Sequence, residues 1–417
     1  MKRIVQIVLF CLVLVLFCSC GESVKSIELL DYREKIEVGE TFKIKYTVEP
    51  SDEKIAFESS DTKVASVDVL GKVKGNSTGT VIITVKLVSD ESINKSFTLK
   101  VGSEFSEVDL SDIPYDENIW GVKELEKGSD EETIYMLLRE KVCEVARGKA
   151  TSTIFSLSNV SLKDTNDIDS KITRVLGLLW LSCPFDLYWY EEQSGYFYNY
   201  TIKGSKIDLT VKLQVSSDYK KSDYVVDENK KVTALIALKN AINIANSASG
   251  SDYDKIMYFK NQICDLVTYD TASNNAQMSG KIKAGNNPWQ MVNVFDNISS
   301  TNVVCAGYAK AFKFLCDRAG IECKVVNGEA GGPHVWNVVT LDGKNYIVDV
   351  TNCDLGSKGY PDKLMLVGAT GSLEEGYTDL RCNIKYKYYL ASDYGKTDMV
   401  FVFSYESLVI SSTSYSK

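Results

Sequence analysis

The stretch Pro333-His334-Val335-Trp336-Asn337-Val338-Val339-Thr340-Leu341-Asp342-Gly343-Lys344-Asn345-Tyr346-Ile347-Val348-Asp349-Val350-Thr351 reads as a β-hairpin. An apolar run opens at His334, the one histidine of the chain, after the glycine-rich segment 328–333. Asp342-Gly343 is a two-residue type I′ turn signal, because both positions tolerate positive φ. With that turn, Leu341 faces Lys344, Trp336 lies opposite Asp349 and His334 lies opposite Thr351. The second strand is expected to run from Lys344 to Thr351. His334, Trp336, Asp349 and Thr351 then project from one face. His334 and Asp349 become diagonal neighbours, about 7–8 Å apart at the backbone and within side-chain reach. An imidazole and a carboxylate so placed orient each other as a general base requires.

Working outward, Cys305, Ala309, Phe312, Cys316 and Ala319 fall on one face of a helix, with Gly320 as its stop. Cys305 stands in the first turn, where unpaired N–H groups and the macrodipole favour an anion. A free cysteine is more commonly a small buried hydrophobe. The neighbouring His–Asp pair shifts the balance toward a nucleophile. An earlier helix beyond Ser251 carries Ile256, Phe259, Ile263 and Val267 at helical spacing and ends at Tyr269-Asp270.

Cys305-Ala306-Gly307-Tyr308-Ala309, Cys316 and Cys323 around Gly320-Ile321, His334-Val335-Trp336-Asn337-Val338 and Tyr346-Ile347-Val348-Asp349-Val350-Thr351 together resemble the transglutaminase-like superfamily. The resemblance implies a papain-related α+β fold, with a Cys-bearing helix packed on a sheet that carries the His and Asp. It implies Cys305 as nucleophile, His334 as base and acid, and Asp349 as the orienting carboxylate. The family often has Trp after its Asp-x-Thr motif, where Asn352 stands here. The Cys305 N–H is the natural first oxyanion donor. Gln290 or Trp289 is a candidate for the second, and Trp336 is expected to wall the cleft.

No cofactor or metal is expected. The chain shows no EF-hand loop, no glycine-rich phosphate loop, and no CxxC pair beyond residue 20 to accompany its single histidine. The formal charge of -9, without a basic cluster, argues against a nucleic-acid partner. A protein or peptide substrate is expected, attacked at an amide through a thioester. Hydrolysis is favoured over amine transfer. The alternative is a non-catalytic surface binding lipoprotein on the same fold.

A chain of 417 residues calls for two to four domains. Lys2 and Arg3 precede an apolar run to Phe17, which is short for a membrane span and has the flanks of a secretory signal. Leu16-Phe17-Cys18-Ser19-Cys20-Gly21 resembles a bacterial lipobox. Residues 1–19 are therefore expected to be a lipoprotein signal peptide. Cys20 would be the lipidated first residue of the mature chain, anchored at the membrane of a bacterial cell envelope. Residues 20–102 alternate apolar and polar in short runs, including one strand over Phe42-Val48. Val38-Gly39-Glu40-Thr41, Val64-Ala65-Ser66-Val67-Asp68, Gly71-Lys72-Val73 and Gly79-Thr80 resemble the bacterial immunoglobulin-like domain of group 2, an all-β sandwich that commonly serves as a spacer. An acidic linker follows from about 102 to 128.

Residues 103–250 read as a mixed region. A helix is capped by Ser129 with Glu132 and stops at Gly148. Three strands follow over 187–190, 196–202 and 206–215, with an aromatic stripe from Tyr188 to Tyr200. A helix from about Glu228 to Ser247 completes the region. Residues 251–417 are expected to form the catalytic domain.

Overall fold

A computed structural model describes residues 25–36, 39–77, 79–102, 124–278, 287–298, 301–354, 362–390, 405 and 407–417. The signal segment with Cys20, and nearly all of the acidic linker, lie outside the described residues. The chain divides into two compact units, 1–107 and 108–417.

The first unit is all β. Lys35–Ile36, Asn94–Val101, Gly79–Leu87 and Ile55–Ser59 form one four-stranded sheet in that spatial order. Thr41–Lys43, Lys72–Gly75 and Ala65–Val67 form a second sheet, and Ser26–Asp31 pairs with Lys45–Glu49. Val81, Ile83, Val85 and Leu87 alternate into the core against Leu99 and Val101, the period-2 pattern of a half-buried strand. The single strand expected over 42–48 is instead two. Its first part pairs with Lys72–Gly75 and its second with Ser26–Asp31. The change of partner falls at Ile44, which is buried. Alternation survives the switch, so the sequence pattern does not reveal it.

The second unit begins with the helix Asp130–Ala146. The Ser129 hydroxyl accepts from the Glu132 N–H at 3.1 Å, and the Glu132 carboxylate accepts from the Gly128 N–H. A three-stranded sheet follows, in the order Ile154–Ser161, Lys206–Leu213, Tyr196–Lys203. Ile154–Ser161 takes the place expected for 187–190, which instead forms buried turns with one bridge, Tyr190 to Val215. A helix over Ile168–Ser182, absent from the sequence reading, packs nearby. Residues Val175 to Ser182 are buried without exception, so it lacks a polar stripe to betray helical period. The aromatic stripe divides accordingly. Tyr188, Trp189 and Tyr190 are core, whereas the Tyr198 and Tyr200 hydroxyls both donate to Asp169.

No division appears at 250/251. The helix Val232–Ser247 sends the Asn240 amide to the Phe295 carbonyl at 2.8 Å, and Asn287 donates to the Tyr190 carbonyl at 2.7 Å. The fragment from 124 to 250 and the site-bearing part therefore share one core.

That core is built on a six-stranded antiparallel sheet. Its order is Lys344–Val348, Pro333–Leu341, Cys323–Glu329, Lys385–Tyr388, Gly376–Asp379, Ala369–Ser372. The helix Cys305–Arg318 lies across it, and the Asn337 side chain donates to the Ala309 carbonyl at 3.0 Å. The hairpin register is the expected one, Leu341 to Lys344 through Asn337 to Val348, with Asp342 at φ 51° and Gly343 at φ 73°. The second strand ends at Val348 rather than Thr351. Asp349 leaves the ladder and caps a short helical turn, Val350–Cys353, by accepting from the Asn352 N–H.

Candidate active site

Cys305 is the first residue of its helix, behind the N-cap Val304. Val304 offers no side-chain cap, and no acidic residue stands in the first turn. The helix end is thus left to receive negative charge from elsewhere. The backbone ahead of Cys305 is fixed on two sides. The Val304 N–H donates to the Pro288 carbonyl at 3.0 Å, and the Asp270 N–H donates to Val303 at 2.9 Å. Gly307 makes this fit possible, since a Cβ there would lie 2.6 Å from Val303 and 2.9 Å from the Pro288 oxygen. Cys305 is half-buried and a free thiol; none of the eight cysteines among the described residues is in a disulfide.

His334 Nε2 lies 2.9 Å from Asp349 Oδ2, which commits that nitrogen to the carboxylate. The Cys305 side chain also acts on this ring. Burial opposes a charged ring, but the Asp349 carboxylate and the thiol outweigh it and lift His334 to about 10. Burial likewise would raise the Asp349 carboxyl, yet His334 and the surrounding donors hold it below its ordinary value. Asp349 is fully enclosed. Tyr308, three residues into the Cys helix, donates to Asp354 at 2.5 Å and so ties that helix to the turn Asp349 caps. Cys305, His334 and Asp349 are therefore brought together, with His334 and Asp349 side by side as the hairpin register places them.

The other candidates fare differently. Gln290 is buried, and its amide nitrogen donates to Glu192 at 2.7 Å. It is committed to a packed network rather than to an oxyanion. Glu192 also accepts from Lys310, whose ammonium sits 4.5 Å from the centre of the Trp180 ring. Trp289 is half-buried, in the turn whose Pro288 carbonyl accepts from Val304. Trp336 does not wall an open cleft: it is 1% exposed and stacks behind the imidazole, ring centres 5.9 Å apart at 18°.

Sequence reasoning missed three residues here. Tyr386 donates to Asp349 Oδ2 at 2.8 Å. Asn352, noted only as a departure from the family pattern, donates to the same oxygen through its side chain at 2.6 Å. Tyr269 bridges to Val303, two residues before Cys305, and burial, with Cys305, Asp270 and Asp349 adding to it, pushes its hydroxyl up. The Tyr-Asp end of the Ser251-capped helix was the available signal for Tyr269. Among the described residues no group of three or more His, Cys, Asp or Glu is placed to hold a metal.

Fold and site together define an immunoglobulin-like β-sandwich followed by a mixed α/β domain of the transglutaminase-like class. Known families agree: the bacterial Ig-like domain (group 2) matches residues 23–101, and the transglutaminase-like superfamily matches residues 241–349. Human kyphoscoliosis peptidase is similar over 134 residues, 26% identical, covering 29% of this chain and 19% of that protein. The 3-O-alpha-D-galactosyl-alpha-L-arabinofuranosidase of Bifidobacterium longum subsp. longum is 37% identical over 87 residues, 20% of this chain and 7% of that protein. The chain thus spans less than a fifth of the length of either relative. A solved TGase structure is similar at 18% identity and a TM-score of 0.26, covering 38% of this chain and 45% of its own.

Proposed function

We propose that this protein is a cell-surface thiol enzyme that attacks amide bonds of proteins or peptides through a thioester on Cys305, with water as the favoured acceptor. The observation that carries the reading is the His334–Asp349 bond of 2.9 Å, on a ring that Cys305, the first residue of its helix, also acts on. Cys305 Sγ bonds to the amide carbon, and the oxyanion is met by the Cys305 N–H. His334 gives its proton to the departing amine as the C–N bond breaks. Water, deprotonated by His334, then cleaves the thioester and restores the thiol. Asp349 stays ionised and keeps the ring aimed. The peptidase name of the human relative supports hydrolysis. Cys20 carries the lipid that holds the protein at the bacterial envelope, and the Ig-like sandwich is its spacer.

A peptide library incubated with the wild-type protein and with Cys305→Ala tests the reading, and an added primary amine separates hydrolysis from transfer. Turnover abolished in Cys305→Ala is expected, with free carboxylate products. If the wild-type protein turns over nothing and its thiol alkylates no faster than a free cysteine, the non-catalytic binding-lipoprotein reading takes its place.

A further inference from the structure

Asp349 Oδ2 is crowded. His334 Nε2, the Tyr386 hydroxyl and the Asn352 amide all reach this one oxygen, at 2.9, 2.8 and 2.6 Å. The other oxygen takes the Asn352 backbone N–H at 3.0 Å. Asn352 lies on the turn that Asp349 itself caps, so its bonds move with the carboxylate. Tyr386 comes from Lys385–Tyr388, a strand beyond the region the superfamily matches, and it ties the Asp349 carboxylate to a part of the sheet outside the hairpin. The same ring packs on Trp336, centres 5.0 Å apart, and Trp336 stacks on His334.

Tyr386 can reach this place because its strand lies against the Gly328 backbone where a side chain would leave no room. Gly328 pairs with Tyr388, and a Cβ on Gly328 would lie 2.0 Å from the Lys387 oxygen and 2.8 Å from the Trp336 ring. Both are closer than side-chain carbons approach. Only a residue without a Cβ lets the strand in.

We propose that Tyr386 is a positioning residue for the Cys305–His334–Asp349 site, fixing Asp349 through its hydroxyl and backing His334 through Trp336, with Gly328 admitting its strand. The proposal rests on the thiol-enzyme reading above for the reaction it serves, but the contacts are independent of any substrate. Tyr386 touches neither the thiol nor the acyl group and acts through its two neighbours. The ionisable and polar groups acting on Asp349 are His334, Asn352, Tyr386, Tyr269 and Cys353.

Because His334 is the one histidine, nitrogen-15 labelling of histidine in the full chain reports this ring alone. In the wild type both ring nitrogens are expected to be protonated at neutral pH, with the Nε2 proton held by Asp349. Tyr386→Phe keeps the ring but removes the hydroxyl. It should shift and broaden the His334 resonances and slow iodoacetamide alkylation of Cys305 at neutral pH by about tenfold, the scale of one lost hydrogen bond to a charged group. Gly328→Ala keeps the hydroxyl but crowds the strand, and should produce the same change. Unaltered His334 resonances and alkylation in folded Tyr386→Phe overturn the proposal. So does Gly328→Ala with a wild-type spectrum. A Tm loss in Tyr386→Phe with an unchanged His334 spectrum assigns the tyrosine to packing alone and also overturns it. Failure of the thiol-enzyme reading would appear separately, as absence of turnover in a wild-type protein whose histidine spectrum is as described.

Discussion

At the scale of single residues, the site depends on one charge pair buried together. His334 is lifted to about 10 inside the fold, against about 6.5 for an exposed imidazole. A group whose pKa is raised on folding stabilises the native state fully below its unfolded value, and that contribution is lost as pH rises through the folded value. Wild type should therefore exceed His334→Gln in stability near pH 6, and the gap should narrow as pH climbs from about 6.5 to about 10. Urea melts of both proteins across that range measure it. A gap independent of pH would mean that the ring is neutral in the fold. The same charge should act on Cys305. His334→Ala is expected to slow alkylation of Cys305 far more at pH 6, where the wild-type ring is charged, than above pH 10, where it is not. Asp349→Asn should give a smaller loss with the same pH pattern. Labelling rates followed by mass spectrometry decide between this and a pH-independent steric effect.

At the scale of elements, Glu192 and Lys310 join the short 3-10 turn Glu192–Ser194 to the Cys helix. Burial pushes the Glu192 carboxyl up and the Lys310 ammonium down, each opposed by the other's charge. Truncating one partner strands the other, which costs about 3–5 kcal/mol for a buried pair. Glu192→Ala should accordingly lower the melting transition of the 108–417 unit and leave that of the Ig-like unit in place. Calorimetry of the two-unit protein reads both. The hairpin was legible from sequence because Asp342-Gly343 sets the turn and a period of two sets everything after it. The Cys helix was legible because its apolar positions repeat at helical spacing and Gly320, at φ 75°, ends it. Other elements gave no such signal. Ile154–Ser161 hides its alternation behind a register shift between Leu157 and Val160. Lys385–Tyr388 is four residues long, and nothing local to it shows that Tyr386 meets a carboxylate 37 residues away. Asp349 looked like a strand residue because its capping of the Asn352 N–H is a property of the turn rather than of the pattern.

At the scale of the whole molecule, the two boundaries drawn from composition have different physical standing. The boundary after 102 separates two hydrophobic cores, and every residue of the triad lies in the second. The boundary at 250 passes through one continuous core. Glu192 holds Gln290 and Lys310, and the Tyr190 carbonyl accepts from Asn287. The segment 287–290 in turn supplies the Pro288 carbonyl that fixes Val304 beside the nucleophile. Removing residues up to about 250 would expose the apolar faces of the helix Cys305–Arg318 and its neighbours and leave Lys310 buried without its carboxylate, a combination a marginally stable fold does not survive. A chain starting near Glu124 should fold and alkylate at Cys305 at the wild-type rate. A chain starting near Ser251 should be insoluble or show no cooperative melt. Circular dichroism melts and labelling of the two truncated proteins check the pair. Loss of labelling in a folded chain from Glu124 would show that the sandwich contributes to the site. A cooperative, reactive chain from Ser251 would show that the preceding segment is an ornament on an autonomous domain.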